Sequence, residues 1–153
     1  MEINEMTGEE CSAFLKHASL GRLGCSHENQ PYVVPIRFAA DGGYIYVFST
    51  FGQKVKWMRS NPKVCVQTDE IKGQEDWVSV IVNGEYEELP EPRYTDERKR
   101  ASLLLSKQYQ WWLNALGTRQ MKAGDSPIEP LFFRIRIESM TGLRAAGEKQ
   151  AAG

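Results

Sequence analysis

Residues 44–66 read YIYVFSTFGQKVKWMRSNPKVCV. An aromatic and β-branched run ends in Ser49 and Thr50, crosses Phe51 and Gly52, and enters a short basic stretch that Pro62 stops. Another apolar run follows at once, so the segment reads as strand, helix, strand. Val55 and Met58 are spaced to form the buried side of the helical piece, with Lys54, Lys56 and Arg59 around it. A helix start presents unpaired backbone N–H groups and a partial positive charge, both of which attract phosphate. Ser49 and Thr50 add hydroxyl donors there, Gly52 permits close backbone approach, and Lys54 brings charge into the first turn. Two readings stay open on this stretch alone. Either the basic residues solvate an exposed helix face, as surface residues of this type commonly do, or the turn is built to hold an anion.

The flanking sequence bears on that choice. Asp41-Gly42-Gly43 is a tight-turn signal, which predicts residues 32–39 and 44–50 as antiparallel neighbours. The two-residue period of a strand puts Arg37 on the side of Val33 and Pro35, and pairing through the turn would set Arg37 beside Ser49 or Val47. Arg37, Ser49, Thr50 and Lys54 would then line one anion pocket. Pro35 removes a ladder donor and so marks an edge or a bulge, where a flat ligand could use the freed backbone groups.

Upstream, SHENQP at 26–31 is turn chemistry that joins a short strand, LGRLGC at 20–25, to YVVPIRFAA at 32–40. Thr7 and Glu10 have capping-box spacing ahead of Cys11, Phe14, Leu15 and Ala18, which predicts a helix over 8–17. Downstream, Val64–Thr68 reads as a strand, DEIKGQED at 69–76 as a loop, and Trp77–Leu89 as a longer strand in which Gly84 marks a bulge. Thr95 to Leu116 is helical, ended by Gly117; residues 121–130 form a loop; and Leu131–Met140 alternates as a last strand. The sum is a mainly β (α+β) domain over residues 1–144, an antiparallel β-barrel of six strands with flanking helices, which the family resemblance described below makes a six-stranded antiparallel split β-barrel, followed by a disordered tail at 145–153. Alternating βα units are absent, which disfavours a doubly wound parallel sheet.

Composition narrows the function. The chain has 153 residues, 41% hydrophobic, with a net charge of −1; this gives no general pull toward nucleic acid or an anionic membrane. Its apolar runs fall far short of the ~20 residues that a membrane span needs. The acidic start MEINEMTGEE lacks signal-peptide features, and Cys11, Cys25 and Cys65 form no CxxC pair, so free thiols in the cytoplasm are expected. His17 and His27 stand at no metal-ligand spacing, and no metal is expected. Trp111 and Trp112 point about 100° apart on a helix, so at least one should pack in a core or dimer contact, the other reading being a cofactor pocket.

LGRLG, PYVVPIRF, GGYIYVFSTFGQK, SNPKVCV and WVSVIVNGEYEEL occur in that order over residues 20–89, with IESMTGLR as weaker support later. This ordered set resembles the FMN-binding split-barrel family typified by pyridoxamine 5′-phosphate oxidase, and within it the nitroimidazole-resistance-like branch. The resemblance implies that Val34, Pro35, Ile36 and Arg37 form the flavin-contacting strand, with Arg37 reaching the FMN phosphate. It implies the same cofactor role for Phe48, Ser49 and Thr50 at the next strand end and for Lys54 at the helix start. Gln53 stands where an arginine often precedes that lysine, and Ser79 where the oxidases carry a glutamine near the flavin ring. It also implies a homodimer with two flavins at the interface. The leading reading is an FMN-dependent oxidoreductase that passes electrons from NADH or NADPH to a small organic acceptor.

Two departures bear on the activity. The chain ends TGLRAAGEKQAAG, without the Arg-x-His pair with which the oxidases grip substrate phosphate, so a role in vitamin B6 synthesis is not expected. Phe48 occupies a position where the nitroimidazole branch often has histidine, which counts against nitro-reduction. No residue stands out as a catalytic acid or base. The alternatives on the same barrel are a non-enzymatic flavin- or haem-binding or redox-sensing protein, and a reductase that uses FAD or a deazaflavin.

Overall fold

The computed structural model describes residues 1–108 and 130–147. The chain opens with β1 (Glu2–Glu5) and α1 (Gly8–His17). The capping box predicted for α1 is present: the Glu10 N–H donates to Thr7 Oγ1 at 3.2 Å and the Thr7 N–H to Glu10 Oε1 at 3.1 Å. A hairpin follows, β2 (Leu20–His27) and β3 (Gln30–Arg37), turning through Glu28 and Asn29 at positive φ. After Phe38 come β4 (Ala39–Asp41), β5 (Tyr44–Thr50), α2 (Gln53–Ser60), β6 (Lys63–Gly73), β7 (Asp76–Glu88), α3 (Thr95–Gln108) and β8 (Pro130–Ala146).

All eight strands belong to one antiparallel sheet, in the order β3-β2-β6-β7-β8-β5-β4, with β1 added on β8. This is a split barrel, with β1 and β4 as short additions to the six strands expected. The long β8 carries it: β7 pairs along most of its length, β5 along residues 130–136 and β1 along 143–146. β8 therefore runs two residues past 144, while residues 148–153 of the expected tail lie outside the described residues. The end of the helix expected at 95–116, the Trp111-Trp112 pair and residues 121–129 of the loop expected at 121–130 also lie outside them, while Pro130 opens β8 rather than closing that loop.

Two expectations need correction. The segment 69–76 is not a loop: β6 continues to Gly73 and pairs back on β7, with Asp69 opposite Ser79 and Ile71 opposite Trp77. Its charged residues have low strand propensity, but a long hairpin supplies them with partners. The Asp41-Gly43 turn pairs only β4 with β5, and β3 bonds β2 instead. Arg37 thus sits opposite Leu20, and no ladder carries it to Ser49 or Val47. Pro35 does lie on an edge strand, as its missing N–H requires.

Strand alternation divides the sheet into two faces. Leu23, Ile36, Ile45, Val47, Val66, Val80, Val82, Phe133 and Ile135 fill the barrel interior, joined by Leu15 of α1 and Val55 and Met58 of α2. A smaller core of Tyr46, Leu89, Ala101, Leu105 and Phe132 seats α3 on the outside of β4 and β5. Gly84 breaks the register between β7 and β8 as predicted, and a Cβ there would meet the Arg136 carbonyl oxygen and, at 2.7 Å, Ile135 Cγ2.

Candidate functional site

The barrel splits between β3 and β5. Extending the β4–β5 register past Ala39 would set Arg37 opposite Phe48 and Pro35 opposite Thr50, yet β3 and β5 approach there without forming a ladder. At this rim β5 gives way to α2. Ser49 is buried at the strand end, and its hydroxyl donates to the Thr50 carbonyl at 3.2 Å. Gly52 is the N-cap of α2 and offers no side chain to the first-turn N–H groups. Gln53 is exposed as the first helical residue.

Lys54, in the same first turn, is half-buried. Among the described residues it has no carboxylate or hydrogen-bond partner, and its electrostatic neighbour is the Cys25 thiol. Burial pulls its pKa below the ordinary lysine value, with the thiol opposing that shift. Cys25 moves the other way: burial and the nearby Cys65 raise it, while Lys54 lowers it. A desolvated amine with no counter-charge is costly unless an anion completes it. The uncapped helix start and this amine have the chemistry of an anion site, whereas the Ser49 hydroxyl would have to release the Thr50 carbonyl to join them. Lys56, by contrast, is exposed, as a solvated face requires.

The remaining predicted residues are spread around this rim. Pro35 and Arg37 lie on the outer face of β3, whereas Val34 and Ile36 turn toward the core, so the strand offers its backbone and only alternate side chains to one ligand. Phe48 turns away from Ser49 and packs edge-on against Phe132, with ring centroids 5.1 Å apart. Ser79 shares the outer face with Arg37. Extending the β2–β6 register past Arg22–Gln67 sets Leu20 opposite Asp69, so a row of Arg37, Leu20, Asp69 and Ser79 crosses four strands, a span of roughly 14 Å at the usual strand spacing. An elongated ligand could reach both ends; a small anion could not.

Two side-chain networks escaped the sequence reading. On the outer face Arg22 Nη1 donates to Asp69 Oδ2 at 3.3 Å, and Gln67 Nε2 donates to Asp69 Oδ2 at 2.8 Å and to Ser79 Oγ at 3.2 Å. At the end of α2, Arg59 is not merely solvated: its Nε and Nη2 grip the Glu88 carboxylate, to which the Tyr86 hydroxyl also donates at 2.7 Å. Burial works against the ionised Glu88, but the bonds from Arg59 and Tyr86 outweigh it and hold the carboxyl below its ordinary value. The i, i+2 spacing of Tyr86 and Glu88 placed them on one strand face; nothing in the sequence aligned that face with Arg59.

An antiparallel sheet of this order, rolled into a split barrel with a helix set at the rim after β5, defines the fold class. The chain belongs to the pyridoxamine 5′-phosphate oxidase family, whose model matches residues 7–144. It is 40% identical over 151 residues to an uncharacterized protein of Rhizobium meliloti, covering 97% of this chain and 99% of that protein. Among solved structures it is similar to a FAD-binding protein from Mesorhizobium loti, at 39% identity with a TM-score of 0.80, covering 95% of this chain and all of that one. A putative 5-nitroimidazole antibiotic resistance protein from Bacteroides thetaiotaomicron shares the fold, at 16% identity and a TM-score of 0.63, over 94% of this chain and 89% of that one. No helix among the described residues is long and apolar enough to cross a membrane.

Proposed function

We propose that this chain is a flavin-dependent oxidoreductase that holds FMN by its phosphate at Ser49, Thr50, Gln53 and Lys54, with Arg37 contributing from β3. The half-buried Lys54 amine, which has no counter-charge among the described residues, carries this reading. The backbone of Val34–Ile36 lies against one side of the ring, and Ser79 borders its far end on the outer face. The bound flavin supplies two-electron transfer from NADH or NADPH to a small organic acceptor. The protein's own part is to bind, orient and exclude water.

The flavin would sit between two copies of the chain. Leu20, Val33, Ile81 and Leu143 are all exposed on the outer sheet face that carries Arg37 and Ser79, and an apolar sheet face of this kind supports a homodimer. The three free cysteines, two of them buried, accord with a reducing cytoplasm.

A second reading keeps the flavin and changes it to FAD, because the Mesorhizobium loti protein similar along nearly the whole chain is named FAD-binding. The mass of the cofactor released on denaturation separates the two. Anaerobic mixing of the flavin-loaded protein with NADH or NADPH tests the activity. Bleaching of the flavin absorbance by either donor is expected, and a spectrum unmoved by both would leave a flavin carrier rather than a reductase.

A further inference from the structure

Ser49 and Thr50 pair with β8, but Phe51 and Gly52, between the end of β5 and the start of α2, belong to neither element. Gly52 caps α2 without a side-chain hydrogen bond, and Phe51 is 57% exposed. The Phe51 ring still has a partner, because the Arg59 guanidinium lies over it, 5.0 Å from the centroid. Arg59 stands two turns along the same helix and is itself clamped. Its Nε donates to Glu88 Oε1, and its Nη2 lies 3.3 Å from Glu88 Oε2. The Tyr86 hydroxyl donates to the same Oε1, and the buried Tyr86 ring packs on Phe133 with centroids 5.1 Å apart. A continuous set of contacts therefore links the barrel core to the one residue between Thr50 and Gly52. A two-pronged arginine–carboxylate pair fixes orientation as well as distance.

We infer that Arg59, Glu88 and Tyr86 are positioning residues for the phosphate cradle, acting through Phe51 to hold the end of β5 and the start of α2 in place before a phosphate-bearing cofactor arrives. The inference rests on the flavin-phosphate reading above. Ordering a loop on binding costs backbone and side-chain entropy, and a loop ordered beforehand leaves more of the contact energy for the ligand. The brace is specific to the phosphate end. None of its members lies on the outer face near Ser79, so it should not affect how the ring is held.

The test compares FMN with riboflavin, which has the same ring and no phosphate. The ratio of their dissociation constants measures what the phosphate contributes. Titrations by flavin fluorescence use the wild-type apoprotein and the variants Arg59→Ala and Phe51→Leu. Each variant should lower the FMN preference by roughly two- to fivefold, the size expected for one exposed guanidinium–ring contact, and leave riboflavin affinity unchanged. The double variant should be no worse than either single one, because both remove the same contact. If Arg59→Ala fails to fold, Glu88→Gln keeps the shape of the carboxylate and should give the same loss. A preference that survives in the variants, or an equal weakening of both ligands, overturns the brace while leaving the flavin site standing. A wild-type protein that binds FMN and riboflavin equally overturns the phosphate reading itself.

Discussion

Lys54→Met is expected to do two opposite things. The amine is half-buried, has no described carboxylate partner, and titrates below the ordinary lysine value because burial penalises its charge. Removing it while keeping the apolar stem deletes a charge-assisted contact to the cofactor phosphate, worth about 1.5–3 kcal/mol, or a roughly ten- to hundredfold loss of FMN affinity. The same change relieves the apoprotein of a desolvated charge. Substitutions that relax a functional site commonly add about 0.5–2 kcal/mol, and for a domain of this size each kcal/mol moves Tm by about 2–4 °C. The pH dependence carries the same signature. Between the depressed folded pKa and 10.5 the unfolded chain holds more protons at this site, so wild-type apo stability should climb with pH through that window. In Lys54→Met that climb should be smaller. Urea denaturation of the apoprotein across the alkaline range, alongside FMN titration, measures both effects. Unchanged FMN affinity, or an apoprotein that becomes less stable, would refute the assignment of Lys54 as an uncompensated phosphate ligand.

Other consequences are simpler to read. Gly84→Ala should cost about 1–3 kcal/mol in urea denaturation, because its Cβ would sit 2.7 Å from Ile135 Cγ2 and press on the Arg136 carbonyl where the ladder already shifts. Glu88 is held below its ordinary value of 4.5 in the folded state, so the stability it provides is present above about pH 4.5 and is lost as pH falls through the folded value. Glu88→Ala should therefore flatten the acid limb of a stability–pH curve. Val33→Lys places a charge at a position 65% exposed in the single chain, so folding should be unaffected while sedimentation shifts from dimer toward monomer. A variant that stays dimeric would move the interface elsewhere.

How far the residues themselves spoke for this structure depended on whether the deciding physics was local. The capping box of α1, the buried pair Val55 and Met58, and the break at Gly84 are set by residues close in sequence, and each appears where expected. The partner of β3 was not legible. Asp41-Gly43 announces a hairpin, but it cannot say that the ladder stops at Ala39 and that the preceding strand bonds β2 instead. The extension of β6 through charged residues was hidden for a similar reason: pairing partners, not propensity, stabilise it. At the site, Lys54 was legible by its place in the first turn of a helix. Its lack of a counter-charge was not, since that depends on what surrounds it in space. Arg59 read as one more solvated cation until Glu88 and Tyr86, some thirty residues on, were seen to hold it.

The central claim is that this barrel carries a flavin held by its phosphate, and the cofactor content of the purified protein tests it most directly. The protein, or the apoprotein supplied with cofactor, should be yellow and hold about one flavin per chain, released on denaturation with the mass of FMN. A colourless protein that calorimetry shows takes up neither FMN nor FAD would contradict it.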